Sequence, residues 1–231
     1  MMSKDALAAA AVEDIVTGMS IGLGTGRAAT RAIHALAERA SAERLDVLCV
    51  ATSQASHELA RTLGLRVGSL QEIERIDYLF DGADEVDAAL QMIKGRGGAM
   101  TREKIVAHAA VRRVYLIQSS KLVRRLGETV PLPIEVLAFG MAAVRRELRA
   151  LGLDGPLRSK ADGTPYQTDN GNPVIDAALP DTVDVGRLGA ALDGMPGIVG
   201  HGLFLSEADV VLIEDDAGRV SRRTRSGERG A

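Results

Sequence analysis

The sequence has few aromatic residues, one cysteine and no long hydrophobic run. Trp is absent and aromatic residues make up 3% of the chain, so aliphatic side chains and Ala must fill the core that the 46% hydrophobic content allows. The single cysteine, Cys49, excludes an internal disulfide. Because it lies in the apolar run 45–50, we expect a buried, inert thiol.

The chain also lacks a large excess of charge of either sign. The formal net charge is −3, and acidic and basic residues are mixed along the chain, which indicates no nucleic-acid partner. No run of about 20 apolar residues is present, which indicates no membrane span, and residues 1–11 lack the pattern of a signal peptide. We therefore expect a cytoplasmic protein. The basic, Gly- and Ser-containing stretch 222–231 is predicted to be a disordered tail.

Short apolar runs alternate with amphipathic stretches in the first half of the chain. Strands are predicted at 19–24, 45–51, 76–80 and 114–118, and helices at 27–39, 54–63 and 100–110. This alternation is typical of the α/β class, with a doubly wound, mostly parallel, Rossmann-like sheet. Such sheets bind ligands beyond the carboxyl ends of their strands.

The pattern changes after about residue 127. A helix is predicted over 134–151, a small antiparallel meander over 157–160, 164–168 and 173–177, and a weak helix over 184–192. A last strand is predicted at 208–213. These elements predict a smaller inserted α+β domain at 128–203, and an α/β catalytic domain formed by 1–127 and 204–221.

Two loops follow the first two predicted strands. The glycines at 22, 24 and 26 precede a helix whose free N–H groups favour an anion, although a tight turn without ligand is an equal alternative. Arg27 replaces the third glycine of a dinucleotide fingerprint, and no Gly-Lys-Ser/Thr follows, so a small phosphate or carboxylate remains. Thr52 and Ser53 follow the second strand, where a plain N-cap is the simpler interpretation.

An acidic loop follows the third strand. Asp81, Asp84, Glu85 and Asp87 lie within seven positions, and their repulsion requires a cation, shared protons or solvent. Three interpretations remain open: Mg²⁺ binding, acid–base catalysis on hydroxyl groups, and a solvated acidic loop. Glu85 and Asp87 are expected to be solvated, and Asp81 and Asp84 to point toward the strand ends.

A lysine–glycine loop, residues 94–98, precedes the helix that carries Glu103. Lys94 and Arg96 add positive charge there, and Lys121 follows the fourth strand. Glu103 lies in the first helical turn, where a favourable charge for the helix dipole is the alternative to a catalytic role. The four histidines show no metal-binding spacing, and no Ser lies in a G-x-S-x-G motif, so we expect neither a His/Cys metal site nor a Ser/His/Asp triad.

The chain resembles type A ribose-5-phosphate isomerases from about residue 6 to about residue 216. The segments that carry the resemblance are GLGTG (22–26), ATSQAS (51–56), DGADEVD (81–87), IKGRGGAMTREKIVA (93–107), SSKLV (119–123), LPIEV (132–136), TDNGNPVID (168–176) and GLF (202–204). DGAD followed by KG-x-GG and REK is highly specific for this family.

The resemblance implies an aldose–ketose isomerase that interconverts D-ribose 5-phosphate and D-ribulose 5-phosphate without a metal or organic cofactor, as a homodimer or higher homo-oligomer. It implies that Glu103 is the general base, that Asp81 assists proton transfer, that Asp84 assists ring opening and that Lys94 stabilises the enediolate. The residues expected to bind the phosphorylated sugar are Thr25, Gly26, Arg27, Ala28, Thr52, Ser53, Gly82, Ala83, Gly95, Arg96, Gly97 and Lys121.

One position departs from the family pattern. The family usually continues GTG with Ser-Thr, whereas this chain has Arg27-Ala28. Either the Arg27 guanidinium replaces the two hydroxyls as a phosphate ligand, or it points to solvent and backbone N–H groups bind the phosphate. Arg96 is a second candidate for a phosphate contact.

Two other functions remain as alternatives. A sugar-phosphate-sensing module of the same fold usually carries an N-terminal helix-turn-helix, for which few residues precede the first strand, and it needs no Glu103 with Lys94. An acyl-CoA transferase would use a Glu as nucleophile, but nothing in the sequence indicates a pantetheine channel.

Overall fold

The computed structural model describes residues 5–225. The helices are α1 Ala6–Val12, α2 Arg27–Glu43, α3 Gln54–Thr62, α4 Met100–Ala109, α5 Met141–Ala150 and α6 Val185–Asp193. The strands are β1 Ser20–Leu23, β2 Leu48–Ala51, β3 Arg66–Val67, β4 Ile76–Gly82, β5 Glu85–Val86, β6 Met92–Ile93, β7 Ala110–Gln118, β8 Leu132–Val136, β9 Val174–Ala177, β10 Ile198–His201, β11 Leu203–Phe204, β12 Val210–Glu214 and β13 Val220–Thr224. All seven helices and strands predicted in the first half are present, with bounds shifted by a few residues.

The described chain forms two compact units. The first lies within residues 1–82, 105–121 and 206–231, and the second comprises residues 83–104 and 122–205. The predicted domain bounds stay a prediction; they differ from this grouping in assigning 83–104, 122–127 and 204–205 to the first domain. The segment 83–104 contains β5, which pairs with β6, and β6, which also pairs with β11; neither strand belongs to the large sheet.

A seven-stranded sheet forms the first unit, in the order β13-β12-β7-β4-β1-β2-β3. All neighbouring pairs are parallel except β12 with β13. Strand order reverses at β1, the first strand, which lies between β4 and β2. The predicted doubly wound α/β sheet is therefore confirmed.

Successive side chains of the central strands point to opposite faces of this sheet. On one face, Ile21, Leu23, Tyr78 and Phe80 join a buried core with residues of α1 and α2. On the other face, a Cβ at Gly22 would lie 2.8 Å from a methyl of Val106 in α4, so glycine permits this helix to pack closely. The core also contains Cys49, as predicted, and burial raises the pKa of its thiol to about 12.

The prediction of a disordered tail from residue 222 is wrong for residues 222–224. These residues belong to β13, which pairs antiparallel with β12 from Val210↔Thr224 to Glu214↔Val220. The strand is mostly exposed, so its polar composition suits a sheet edge. Arg225 is also described and its N–H donates to the carbonyl of Asp209, whereas residues 226–231 of the predicted tail lie outside the described residues.

Two three-stranded antiparallel sheets, β10-β8-β9 and β11-β6-β5, organise the second unit. The helix predicted from residue 134 begins only at Met141, because residues 132–136 form β8 with two β-branched side chains that favour a strand. In the predicted meander, 157–160 and 164–168 make only isolated bridges, while β9 pairs with β8. Among residues 5–225, no helix has the length and hydrophobicity needed to span a membrane.

Candidate active site

In the first unit, Asp81 lies at the end of β4 beside the loop that follows β1. Its side chain is buried, and its Oδ1 accepts hydrogen bonds from the Thr25 N–H at 3.0 Å and the Gly82 N–H at 2.7 Å. Gly24 is required at this point, since a Cβ there would lie 2.1 Å from Asp81 Oδ1. The two loops therefore fix the Asp81 carboxylate against the backbone.

The loop after β2 joins the same cluster. Thr25 Oγ1 lies 2.7 Å from Thr52 Oγ1, and the Thr52 hydroxyl also reaches the carbonyl of Leu23. Ser53 is the N-cap of α3, with its Oγ accepting from the Ser56 N–H, and Ser56 donates to the carbonyl of Gly24 at 2.6 Å. The structure thus brings together the loops after β1, β2 and β4, as predicted from the parallel sheet.

The remaining candidates of the first unit surround the start of α2 or follow β7. Gly26 has φ +93°, a conformation that favours glycine, and exposed Arg27 begins the helix. A Cβ at Gly82 would lie 3.3 Å from the Ala28 methyl group. Lys121 ends the short 3₁₀ helix Ser119–Lys121 after β7.

In the second unit, Lys94 and Glu103 form a buried ion pair. Lys94 Nζ lies 3.4 Å from Glu103 Oε2, and the side chains are 3% and 4% exposed. Arg102 instead donates to Asn170 and to the carbonyl of Asp169, as expected from the divergence of adjacent helical residues. A favourable charge for the helix dipole would not require Glu103 to be buried beside a lysine, so this contact favours a specific role for the pair.

An aromatic ring and a histidine accompany this pair. Lys94 Nζ and Lys104 Nζ lie 5.6 and 5.2 Å from the centre of the Phe204 ring, within the range of cation–π attraction. His201 is buried, 3.3 Å from Lys104 Nζ and 2.9 Å from an Asp193 carboxylate oxygen. Burial and the Lys104 charge lower the pKa of His201 to about 4, so this imidazole is neutral at pH 7.

The lysine–glycine loop precedes α4 and contacts Asp84. The Arg96 N–H donates to Asp84 Oδ2 at 2.9 Å, while Gly95 and Gly98 have φ +98° and +77°. Asp84 and Arg96 also line a cleft of about 330 Å³ together with Arg158 and Asp176. Exposed Gly97 and half-buried Ala83, both candidates for substrate contacts, belong to the same unit.

The prediction that Glu85 is solvated is wrong. Its side chain is fully buried, and it accepts hydrogen bonds from the N–H groups of Gly127, Thr129 and Val130 and from the Thr129 hydroxyl. These donors compensate the charge without a cation. Asp87 is half-buried, and its carboxylate accepts from the N–H groups of Ala89 and Gln91 within its own turn.

Sequence reasoning missed a further buried carboxylate, Glu135 in β8. It accepts hydrogen bonds from Thr101 in the first turn of α4, and from Thr168, Asn170 and Asn172. The motifs LPIEV and TDNGN contain four of these five residues, but only the fold shows that they meet. Glu135 thereby ties the helix that carries Glu103 to the antiparallel sheet.

Among residues 5–225, no group of three or more His, Cys, Asp or Glu side chains is arranged to hold a metal ion. The expectation of a metal-independent site remains a prediction.

The family model for ribose 5-phosphate isomerase A (phosphoriboisomerase A) matches residues 48–218. Ribose-5-phosphate isomerase A of Roseiflexus sp. (strain RS-1) is 44% identical over 211 residues, which cover 91% of each chain. The structure of ribose 5-phosphate isomerase A from Methanocaldococcus jannaschii aligns with a TM-score of 0.90 and 37% identity, covering 96% of this chain and 97% of that one.

A further solved structure is that of a D-ribose-5-phosphate isomerase in complex with phospho-erythronic acid. It aligns with a TM-score of 0.91 and 36% identity over 96% of this chain and 97% of that one. The family model covers more than half of the chain, and the similarity extends over nearly the full length of the relatives. The chain therefore belongs to the ribose 5-phosphate isomerase A family.

Proposed function

We propose that the chain interconverts D-ribose 5-phosphate and D-ribulose 5-phosphate through an enediolate, with Glu103 as the general base. The observation that carries the proposal is the buried contact of 3.4 Å between Glu103 and Lys94, next to the lysine–glycine loop. Family membership supports the substrate. The phospho-erythronic acid of the related structure also supports it, because that ligand is a phosphorylated sugar acid.

In the first step the sugar ring opens. We propose that the carboxylates of Asp81 and Asp84 move protons among the sugar oxygens. The hydrogen bonds that Asp81 accepts from the Thr25 and Gly82 amides support this role, since they hold one carboxylate oxygen in a defined position. The Arg96 amide does the same for Asp84.

In the second step the carboxylate of Glu103 takes the proton from C2 of the open-chain aldose. The C–H electron pair becomes the C1=C2 double bond of the enediolate, and negative charge develops on O1. The ammonium of Lys94 stabilises that oxygen, an effect typically worth about 10²–10³-fold in rate. Glu103 then returns the proton to C1, and a proton moves from O2 to O1 to give the ketose.

The substrate phosphate supplies binding energy at a distance from the reacting carbons. We propose that Thr25, Gly26, Arg27, Ala28 and Lys121 contribute to phosphate binding. Thr52, Ser53, Gly82, Ala83 and Gly95–Gly97 are proposed as the other sugar contacts. Support comes from the exposed Arg27 at the start of α2, where backbone N–H groups favour an anion.

A direct assay tests the proposal. Purified protein is incubated with ribose 5-phosphate and, separately, with other aldose phosphates, with and without EDTA, and ketose formation is followed. We expect turnover of ribose 5-phosphate that EDTA does not change, and incorporation of solvent deuterium in D₂O. Substrate binding without turnover would instead support the sugar-phosphate-sensing alternative, and loss of turnover in EDTA would contradict the metal-independent mechanism.

We also propose a cytoplasmic homodimer or higher homo-oligomer. Exposed apolar side chains of the second unit support self-association, with Phe139 98% and Leu137 49% exposed. Light scattering after gel filtration should give at least twice the monomer mass. Phe139→Ser should lower it, while a monomeric wild-type protein would contradict the proposal.

A further inference from the structure

Two side chains that have no role in the proposed chemistry hold the lysine–glycine loop by its carbonyl groups. Arg158 Nη1 donates to the carbonyl oxygens of Gly95 and Arg96, both at 3.0 Å. The Tyr166 hydroxyl donates to the carbonyl oxygen of Gly97 at 3.0 Å. Three consecutive peptide groups are therefore anchored by side chains that are more than sixty residues away in sequence.

Arg158 is itself held in one orientation. Its Nε donates to Asp176 Oδ2 at 2.9 Å and its Nη2 pairs with Asp176 Oδ1, while its side chain is only 12% exposed. The guanidinium carbon lies 5.5 Å from the centre of the Tyr166 ring. A two-pronged pair sets the plane of the guanidinium, so the remaining Nη1 donor points in a defined direction.

Anchoring the carbonyls also orients the amides of the loop. In a planar trans peptide the N–H points opposite to the C=O of the preceding residue. The hydrogen bond from Arg158 to the Arg96 carbonyl thus directs the Gly97 N–H away from Arg158. The hydrogen bond from Arg158 to the Gly95 carbonyl likewise directs the Arg96 N–H away from Arg158, and this N–H donates to Asp84. Glycines at three of these positions leave the unanchored loop with many other conformations.

We propose that Arg158, oriented by Asp176, and Tyr166 are positioning residues for the isomerisation. They touch neither substrate nor reacting atoms. They hold the loop that begins at Lys94 in the single conformation that presents its amides and the lysine to the developing enediolate. This inference rests on the proposed role of the loop in the isomerase reaction.

The test compares Arg158→Lys and Tyr166→Phe with a matched control, Arg113→Lys. Arg113 makes the same two-pronged pair with Asp209 in the first unit, at 3.0 and 2.6 Å, and is not part of the lysine–glycine loop. For each variant, kcat, KM, melting temperature and amide hydrogen exchange over residues 94–98 are measured. A residue that only stabilises the fold would not selectively change amide hydrogen exchange in residues 94–98, so this measurement distinguishes positioning from general stabilisation.

We expect Arg158→Lys to lower kcat about 10–100-fold, because a small misplacement of catalytic groups has effects of that size. Tyr166→Phe removes one hydrogen bond and should lower kcat about 3–10-fold. In both variants KM should change far less than kcat, and exchange over 94–98 should accelerate. Arg113→Lys should lower the melting temperature and leave kcat and loop exchange unchanged.

A folded Arg158→Lys variant with kcat within a factor of two of wild type and unchanged loop exchange would overturn the inference. If that variant does not fold, Tyr166→Phe decides alone, since it keeps the aromatic ring. Failure of the proposed function has a different signature, because wild-type protein would then show no isomerisation or Glu103→Gln would keep it.

Discussion

The ammonium of Lys94 lies 3.4 Å from the carboxylate of Glu103, and both side chains are almost completely shielded from solvent. Removing one partner of a buried pair leaves the other charge uncompensated, which typically costs about 3–5 kcal/mol. A pair that serves only stability gains little over apolar side chains of the same size. Its position beside the loop that Arg158 anchors is consistent with a catalytic role for both residues.

Glu103→Gln is expected to abolish turnover, because the amide cannot accept the C2 proton. The loss should be at least about 10²–10⁴-fold, the usual contribution of a general base. Ketose formation and substrate binding are measured in parallel, and binding should persist. Glu128→Gln, which changes a carboxylate that pairs with exposed Arg124, is the control and should keep wild-type rates. Wild-type activity in Glu103→Gln would show that the base is another group.

Gly24→Ala should displace the Asp81 carboxylate. The new methyl group would lie 2.1 Å from Asp81 Oδ1, so one of the two must move. We expect a fall in kcat of about 10–100-fold and a loss of about 1–3 kcal/mol in the free energy of unfolding. Both are measured, by steady-state kinetics and by urea denaturation.

Gly194→Ala is the control for this substitution. Gly194 has φ −90°, and a Cβ there would lie at an ordinary 3.6 Å from the carbonyl oxygen of Ala190. Activity should be unchanged, and stability should be equal or slightly higher. Equal kinetics for Gly24→Ala and Gly194→Ala would contradict the requirement for glycine beside Asp81.

Arg27→Ala should raise KM for ribose 5-phosphate about 10-fold, as expected for loss of a hydrogen bond between a guanidinium and a phosphate. The value of kcat should change little, since Arg27 is assigned to phosphate binding. Steady-state kinetics decide this, with Arg146→Ala as the control because that exposed arginine lies in α5 and pairs with its neighbour Glu147. An unchanged KM would indicate that Arg27 points to solvent and that backbone N–H groups bind the phosphate.

Arg96→Ala tests the second candidate for a phosphate contact. The Arg96 side chain is exposed, while its backbone N–H and carbonyl bind Asp84 and Arg158, contacts that an alanine retains. KM for the phosphate ester should therefore rise without a change in loop exchange. If KM for ribose 5-phosphate stays at the wild-type value, Arg96 makes no phosphate contact.

His201 makes the stability of the protein depend on pH. Its pKa is lowered to about 4 by burial and by Lys104, only partly offset by the hydrogen bond with Asp193. In the unfolded chain the pKa is about 6.5. Below pH 6.5 the unfolded chain therefore binds the proton more readily, and the free energy of unfolding should fall as pH falls from 6.5 to 4, by up to about 1.4 kcal/mol per pH unit.

Urea denaturation between pH 7.5 and 4.5 measures this dependence. His201→Asn should have a shallower slope than wild type, because the titrating group is gone. His34→Asn, at an exposed position of α2, is the control and should keep the wild-type slope. Identical slopes for wild type and His201→Asn would assign the pH dependence to other groups.

The alternation of apolar runs and amphipathic helices made the parallel sheet predictable. Ile21, Leu23, Tyr78 and Phe80 lie in strands whose hydrophobicity is local information, and the topology rule then places the loops at their carboxyl ends together. The contacts among Thr25, Thr52 and Asp81 follow from that rule. The β-branched residues of β8 fall within a predicted helix because an apolar run of that length fits the period of either a helix or a strand.

Charge patterns were less informative than hydrophobic patterns. The sequence predicts Glu85 in solvent because acidic residues usually lie there, yet it is buried and accepts four hydrogen bonds from residues 127–130. The segments that provide these donors have no sequence feature that marks them as partners. The hydrogen bonds from Arg158 to the carbonyls of Gly95 and Arg96 could not be predicted for the same reason, because nothing near residue 158 in sequence indicates these partners.

The sequence by itself determined the fold class, the family and the residue types at the candidate site, because hydrophobic periodicity and short motifs are local properties of the chain. Only the tertiary structure decided that Lys94 pairs with Glu103, that Glu85 and Glu135 are buried with full sets of donors, and that Arg158 and Tyr166 anchor the lysine–glycine loop. Those contacts depend on directions and distances between segments far apart in sequence, which are defined only after the strands have paired and packed.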